Sequence, residues 1–105
     1  MQLIGCPPFW DTRMKTRQAF GKSLKMLRKA KKVTQEDFSI VSSRTYVSSL
    51  ERGMKGPTLK KVEDLAKVLK VHPLSLLLLT YQYAGGYRDA EALFARIRAD
   101  LRGLS

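Results

Sequence analysis

The chain has 105 residues, with 20 lysines and arginines against 9 acids, and a formal net charge of +11. That length allows one small domain with an appended element, and that charge points to a polyanionic partner. A single cysteine, Cys6, and a single histidine, His72, exclude a disulfide framework, a cysteine cluster and a multi-histidine metal site.

No stretch reaches the roughly 18 consecutive apolar residues that span a membrane. Residues 1 to 10 are apolar, but they lack a basic n-region and contain Pro7 and Pro8, so they do not read as a signal peptide. The expected location is therefore cytoplasmic, with no membrane partner. Scarce nucleophile–base pairs and the lack of a glycine-rich phosphate loop argue against an enzyme, and no cofactor or metal is expected.

Three parts are expected. Residues 1–15 form an N-terminal tail, 16–80 a helical domain, and 81–105 a C-terminal helical extension. In the tail, the double proline disfavours helix, and Phe9 and Trp10 either hang free or cap a surface. Translation starting at Met1 or at Met14 stays open.

Residues 16–32 read as an amphipathic helix, with Phe20, Leu24 and Leu27 at i, i+4, i+7. Lys25, Lys29, Lys31 and Lys32 fall off that stripe. Arg28 directly follows the core position Leu27, so a partly buried guanidinium there needs an anionic partner.

Residues 34–53, TQEDFSIVSSRTYVSSLERG, hold two short helical patterns. Thr34 is a good N-cap, with Asp37 three residues on, a weaker form of the capping box. Phe38 and Val41 share a face. Ser43 offers a second N-cap, Val47 and Leu50 point inward, and Gly53 ends the helix. The second helix is expected to present Arg44, Thr45, Tyr46, Ser48 and Ser49 outward. Donors, acceptors and one aromatic on a short helix of a basic chain suit a DNA major groove.

After a turn through Gly56 and Pro57, Thr58 caps a helix whose stripe is Leu59, Val62, Leu65, Ala66 and Leu69. Lys60, Lys61 and Lys67 are expected to be solvated and paired with Glu63 or Asp64. His72 is an N-cap or turn residue, and Pro73 sits at the first position of the next helix. Residues 73–83 are nearly all apolar, and their four consecutive leucines cannot all face one small core. Some should face the C-terminal segment or another subunit. Residues 88–102 form a last helix, with Ala90, Phe94, Ile97, Leu101 and Leu104 in a heptad-like stripe.

Taken together, Leu27-Arg28, Thr34-Gln35-Glu36, the spacing from Phe38 to Leu50, Leu50-Glu51-Arg52-Gly53, Pro57-Thr58-Leu59 and Leu65-Ala66-x-x-Leu69 resemble the lambda-repressor and Cro type of helix-turn-helix regulator. The resemblance spans about residues 17 to 79, several motif blocks in order. It implies an all-α bundle of about five helices with a recognition helix, plus the C-terminal helix. It implies phosphate contact by Gln35, base contact by Arg44, Thr45 and Ser49, and backbone contact by the loop Met54-Lys55-Gly56. Tyr46 contacts a thymine methyl or a phosphate, or packs at the core edge. Ser43 and Ser48 bind phosphate, or serve in capping and packing. Arg28 and Glu51 correspond to a structural ion pair. The family's alanine and turn glycine between its second and third helices are missing here, and the connection is about two residues shorter. The second helix should be truncated, or the turn tighter.

The expected function is a DNA-binding transcriptional regulator, a repressor in the main reading. It binds double-stranded DNA at a palindromic operator as a homodimer through Leu76, Phe94, Ile97 and Leu101; the alternative for the last helix is that it folds back on its own domain. A controller of a restriction–modification operon is a subtype of this reading. An antitoxin with a toxin partner and a basic RNA-binding or scaffold protein are the rivals. The acids Glu36 and Asp37 are a candidate contact for polymerase.

Overall fold

The computed structural model describes residues 15–104, and the expectations for the tail, with Cys6, Phe9 and Trp10, lie outside the described residues. Five α-helices and one 3-10 turn follow in order: α1 (Thr16–Ala30), the 3-10 turn (Gln35–Phe38), α2 (Arg44–Glu51), α3 (Leu59–Leu69), α4 (Pro73–Gly85) and α5 (Ala90–Leu101). No strand occurs among the described residues.

Local chemistry sets most of these boundaries. Thr34 and Asp37 form a complete reciprocal capping box: Asp37 N donates to Thr34 Oγ1 at 3.2 Å and Thr34 N to Asp37 Oδ2 at 2.8 Å. Ser43 Oγ accepts from Tyr46 N, Thr58 Oγ1 from Lys61 N, and Asp89 Oδ1 from Ala92 N, each starting a helix. His72 Nδ1 accepts from Leu74 N at 2.9 Å, with Pro73 at the first turn, so the lone histidine is a cap. At the other ends, α4 stops at Gly86 (φ 71), whereas Lys32 (φ 59) and Lys70 (φ 60) adopt the left-handed conformation without the freedom of glycine.

The shortened connection is accommodated as expected, in the second element. Where a full helix would run, Gln35–Phe38 makes one 3-10 turn, and Val41 N and Ser42 N both fold back onto Phe38 O at 2.9 Å. Lys61, expected in solvent, instead reaches from α3 and donates Nζ to Val41 O at 2.7 Å. A carbonyl left over by the truncated helix thereby gains a charged donor.

The core is one cluster: Phe20 and Leu24 of α1, Phe38 of the 3-10 turn, Val47 and Leu50 of α2, Val62, Leu65 and Leu69 of α3, and Leu76 of α4. Every expected stripe residue of α3 is buried except Leu59, which is 75% exposed. The α1 helix lies against both α4 and α2. It approaches α2 closely at Gly21, where an added Cβ would stand 2.4 Å from Leu50 O and 2.6 Å from Glu51 O. The periodicity of α1 gave no sign of that approach.

Two corrections concern the C-terminal part. Leu76 is fully enclosed in the core, so it is withdrawn from the expected subunit contact; its neighbour Leu74, 61% exposed, is the leucine of α4 that faces out. In α5 the buried residue is Leu93, which stands outside the expected stripe, while Phe94 and Leu101 are exposed and Ile97 is half-buried. The physical reason is the same for both. A uniformly apolar run and an Ala-rich helix carry little information about facing direction, and the neighbouring elements choose the face.

Candidate nucleic-acid interface

The α2 helix is held by a network at its C-terminal end. Arg28 of α1 makes a two-pronged contact with Glu51, Nε to Oε2 at 2.6 Å and Nη2 to Oε1 at 3.1 Å. Its Nη1 donates to Val33 O at 3.2 Å, and Gln35 Nε2 donates to Glu51 Oε1 at 3.0 Å. The two charged side chains are only 13% and 5% exposed. The one acid of α2 is thus neutralised by a planar fork geometry and further bonded. With Leu50 and Val47 in the core beside it, α2 cannot rotate without breaking this network.

That constraint fixes what α2 presents. Arg44 and Thr45, directly after the Ser43 cap, are exposed; Ser48 is half-buried. Ser49 is 8% exposed, so it does not stand on the outer face where the sequence placed it. Ser49 directly precedes the core residue Leu50 on a helix of eight residues, and it is enclosed together with it.

Tyr46 is half-buried and packs against the core edge. The ammonium groups of Lys55 and Lys61 each lie 5.5 Å from its ring centroid. Such contacts are worth about 0.5–1 kcal/mol at exposed sites. Tyr46 therefore joins α2 to the following loop and to α3. The loop itself is open: Met54, Lys55 and Gly56 are all exposed.

Ser43 is exposed, and its hydroxyl is engaged as the cap. Gln35 uses one amide N–H on Glu51, and its second N–H remains a donor at the start of the 3-10 turn. Two cations that sequence reasoning had not assigned stand beside this face. Arg52, exposed at the end of α2, has its Nε within 3.4 Å of Ser48 O, and Lys61 sits under the Tyr46 ring. Arg52 was visible as the third residue of Leu-Glu-Arg-Gly. Lys61 carried no local signal, because its partner Val41 lies 20 residues away. The resulting surface is a rigid short helix with an exposed arginine near its N-terminus, flanked by Arg52 and Lys55. That arrangement fits a negatively charged groove whose base edges accept hydrogen bonds.

The helix-turn-helix family model matches residues 24–76, just over half of the chain. The chain belongs to this family, the Cro and phage-repressor type of DNA-binding transcriptional regulator. It is 36% identical over 77 residues to an uncharacterized HTH-type transcriptional regulator, y4dJ, of Sinorhizobium fredii, covering 71% of this chain and all of that one. It is 36% identical over 67 residues to the control protein C.BamHI of Bacillus amyloliquefaciens, covering 61% of this chain and 83% of that protein. Among solved structures, the restriction–modification controller protein C.AhdI of Aeromonas hydrophila superposes with a TM-score of 0.54 at 34% identity, over 57% of this chain and 94% of that one. No helix among the described residues is long and apolar enough to cross a membrane.

Proposed function

We propose that the chain is a cytoplasmic regulator that binds a two-fold symmetric operator as a homodimer and represses transcription by occupying it. One observation carries this reading: Arg44 and Thr45 stand exposed on a helix whose rotation is locked by the Arg28–Glu51–Gln35 network. Arg44 has the donor fork that matches the two acceptors of guanine in the major groove, and Thr45 can meet a base edge or a thymine methyl. Lys55 and Arg52 neutralise phosphates on either side, and the remaining N–H of Gln35 serves a phosphate at the start of the 3-10 turn. Tyr46 and Ser43 act by placing these groups, Ser48 lines the edge of the face, and Ser49 is too enclosed to reach a base.

A narrower reading is supported by the names of two relatives. The control protein and the restriction–modification controller favour a role for this chain in governing a restriction–modification operon.

Selection of bound sequences from a random duplex library tests the proposal. The expected product is a symmetric motif whose half-sites lie about one helical turn, ~34 Å, apart, with a guanine preference that disappears in Arg44→Ala. An asymmetric motif, or no enrichment at all, would overturn it. Repression is read from a reporter carrying the selected motif across its promoter.

A further inference from the structure

The α5 helix is poorly held by its own domain. Leu93 is its one buried residue, and it rests on α4. Burying one leucine contributes about 1.5–3 kcal/mol, and a 12-residue helix is marginal alone in water. Between α4 and α5 an open apolar groove of about 770 Å³ remains, bordered by Leu74, Leu78, Tyr87, Phe94 and Ile97. Beyond it Leu101 and Leu104 are 56% and 74% exposed.

The pattern of α5 says what covers this face. With Phe94 and Leu101 as the first core positions of a heptad and Ala90, Ile97 and Leu104 as the second, Leu93 falls on one flank and Glu91 and Arg98 on the other. The Leu93 flank is occupied by α4. The opposite flank is open: Glu91 and Arg98 are exposed, and neither makes an ion pair among the described residues. Two such helices packed parallel would set the Leu93 flank against Arg98, where no charge answers it. Packed antiparallel, the open flanks meet each other, and Glu91 of each copy faces Arg98 of the other. Once Arg88 is set against Asp89 and Arg96 against Asp100, the charges left over agree, with Glu91 at the start of α5 and Arg98 and Arg102 towards its end. Opposed helix dipoles agree as well.

We propose that a second copy of this chain covers this face, with the two α5 helices antiparallel about a two-fold axis midway between Phe94 and Ile97. The axis brings Phe94 of each copy against Ile97 of the other. The partner's α5 closes the mouth of the groove beside Leu74, and two symmetric Glu91–Arg98 pairs fix the orientation. This deepens the homodimer reading and rests on it. It also makes α5, which lies beyond the matched family segment, the element that sets the separation of the two recognition helices.

The test measures the dimerisation constant of the full chain by sedimentation equilibrium, with far-UV circular dichroism as the check on folding. Glu91→Arg and Arg98→Glu each turn two attractions into two repulsions, so each should weaken the dimer about tenfold. The double reversal should restore it. If both single variants dimerise as the unaltered chain does, the α5 contact is wrong while the homodimer reading stands. If the single variants weaken the dimer and the double variant stays weak, the antiparallel pairing is wrong. If the unaltered chain is a monomer both free and on its selected operator, the homodimer reading itself falls.

Discussion

Substituting Gly21 by alanine separates two views of α1 by the sign of the effect. On an exposed helix, Gly→Ala raises stability by about 0.5–1 kcal/mol, because alanine is the better helix former. Here the new methyl would stand 2.4 Å from Leu50 O, where ordinary contact begins at 3.4 Å. The obstacle is backbone, with Glu51 O at 2.6 Å behind it, so no side chain can swing aside. Either α1 or α2 must move by about 1 Å, against Leu24, Val47 and Leu50 in the same core. Overpacking of this kind costs typically 1–3 kcal/mol, which exceeds the propensity gain. A net loss of about 1–2 kcal/mol is expected. In a domain of this size each kcal/mol lowers the melting temperature by roughly 4–8 °C. Thermal unfolding followed by circular dichroism reads this directly. Operator affinity should fall as well, since the displaced element is α2, the proposed base-reading helix, with its Glu51 anchor. An unchanged or raised melting temperature in Gly21→Ala would refute the close approach of α1 to α2.

Three further outcomes are expected. Glu51→Ala strands Arg28 in an enclosed site and should lower stability by on the order of 3 kcal/mol in urea unfolding; a loss below about 1 kcal/mol would show the pair to be solvated. Arg44→Ala should cost about 1–3 kcal/mol at the selected operator and relax one position per half-site, while Lys55→Ala weakens all duplexes alike and flattens the salt dependence; a Lys55 variant that alters the selected motif would contradict this division of roles. On α3, the hydrogen bond from Lys60 holds the Asp64 carboxyl below its ordinary range, with the Lys60 charge adding to it, and the same bond raises Lys60. Because the folded-state value of Asp64 is depressed, its contribution is complete above the unfolded carboxylate value and is lost as the pH falls through the folded one. Asp64→Asn should therefore lower the melting temperature by its full, small amount near neutrality and lose that difference in acid, so that the acid-side slope is slightly flatter; an identical slope in both proteins would show that the exposed pair contributes nothing.

The sequence by itself determined the helices and where they start. Thr34, Ser43, Thr58 and the His72-Pro73 pair act within two or three residues along the chain, so their caps are written locally. The stripes of α1 and α3 repeat often enough to name most of their core residues, Leu59 excepted, and the Arg28–Glu51 pair followed from the family resemblance. The short connection likewise announced a reduced second helix. What only the tertiary structure decided depends on contacts between distant segments. The approach of Leu50 O to Gly21, the reach of Lys61 to Val41 O and the use of Gln35 on Glu51 each join elements far apart in the chain. The enclosure of Ser49 and Leu76, and the choice of Leu93 as the buried residue of α5, follow the same logic. Short, evenly apolar or alanine-rich helices do not encode their own orientation. It is fixed by whichever neighbour packs against them, and on the far face of α5 no element of the described chain does so.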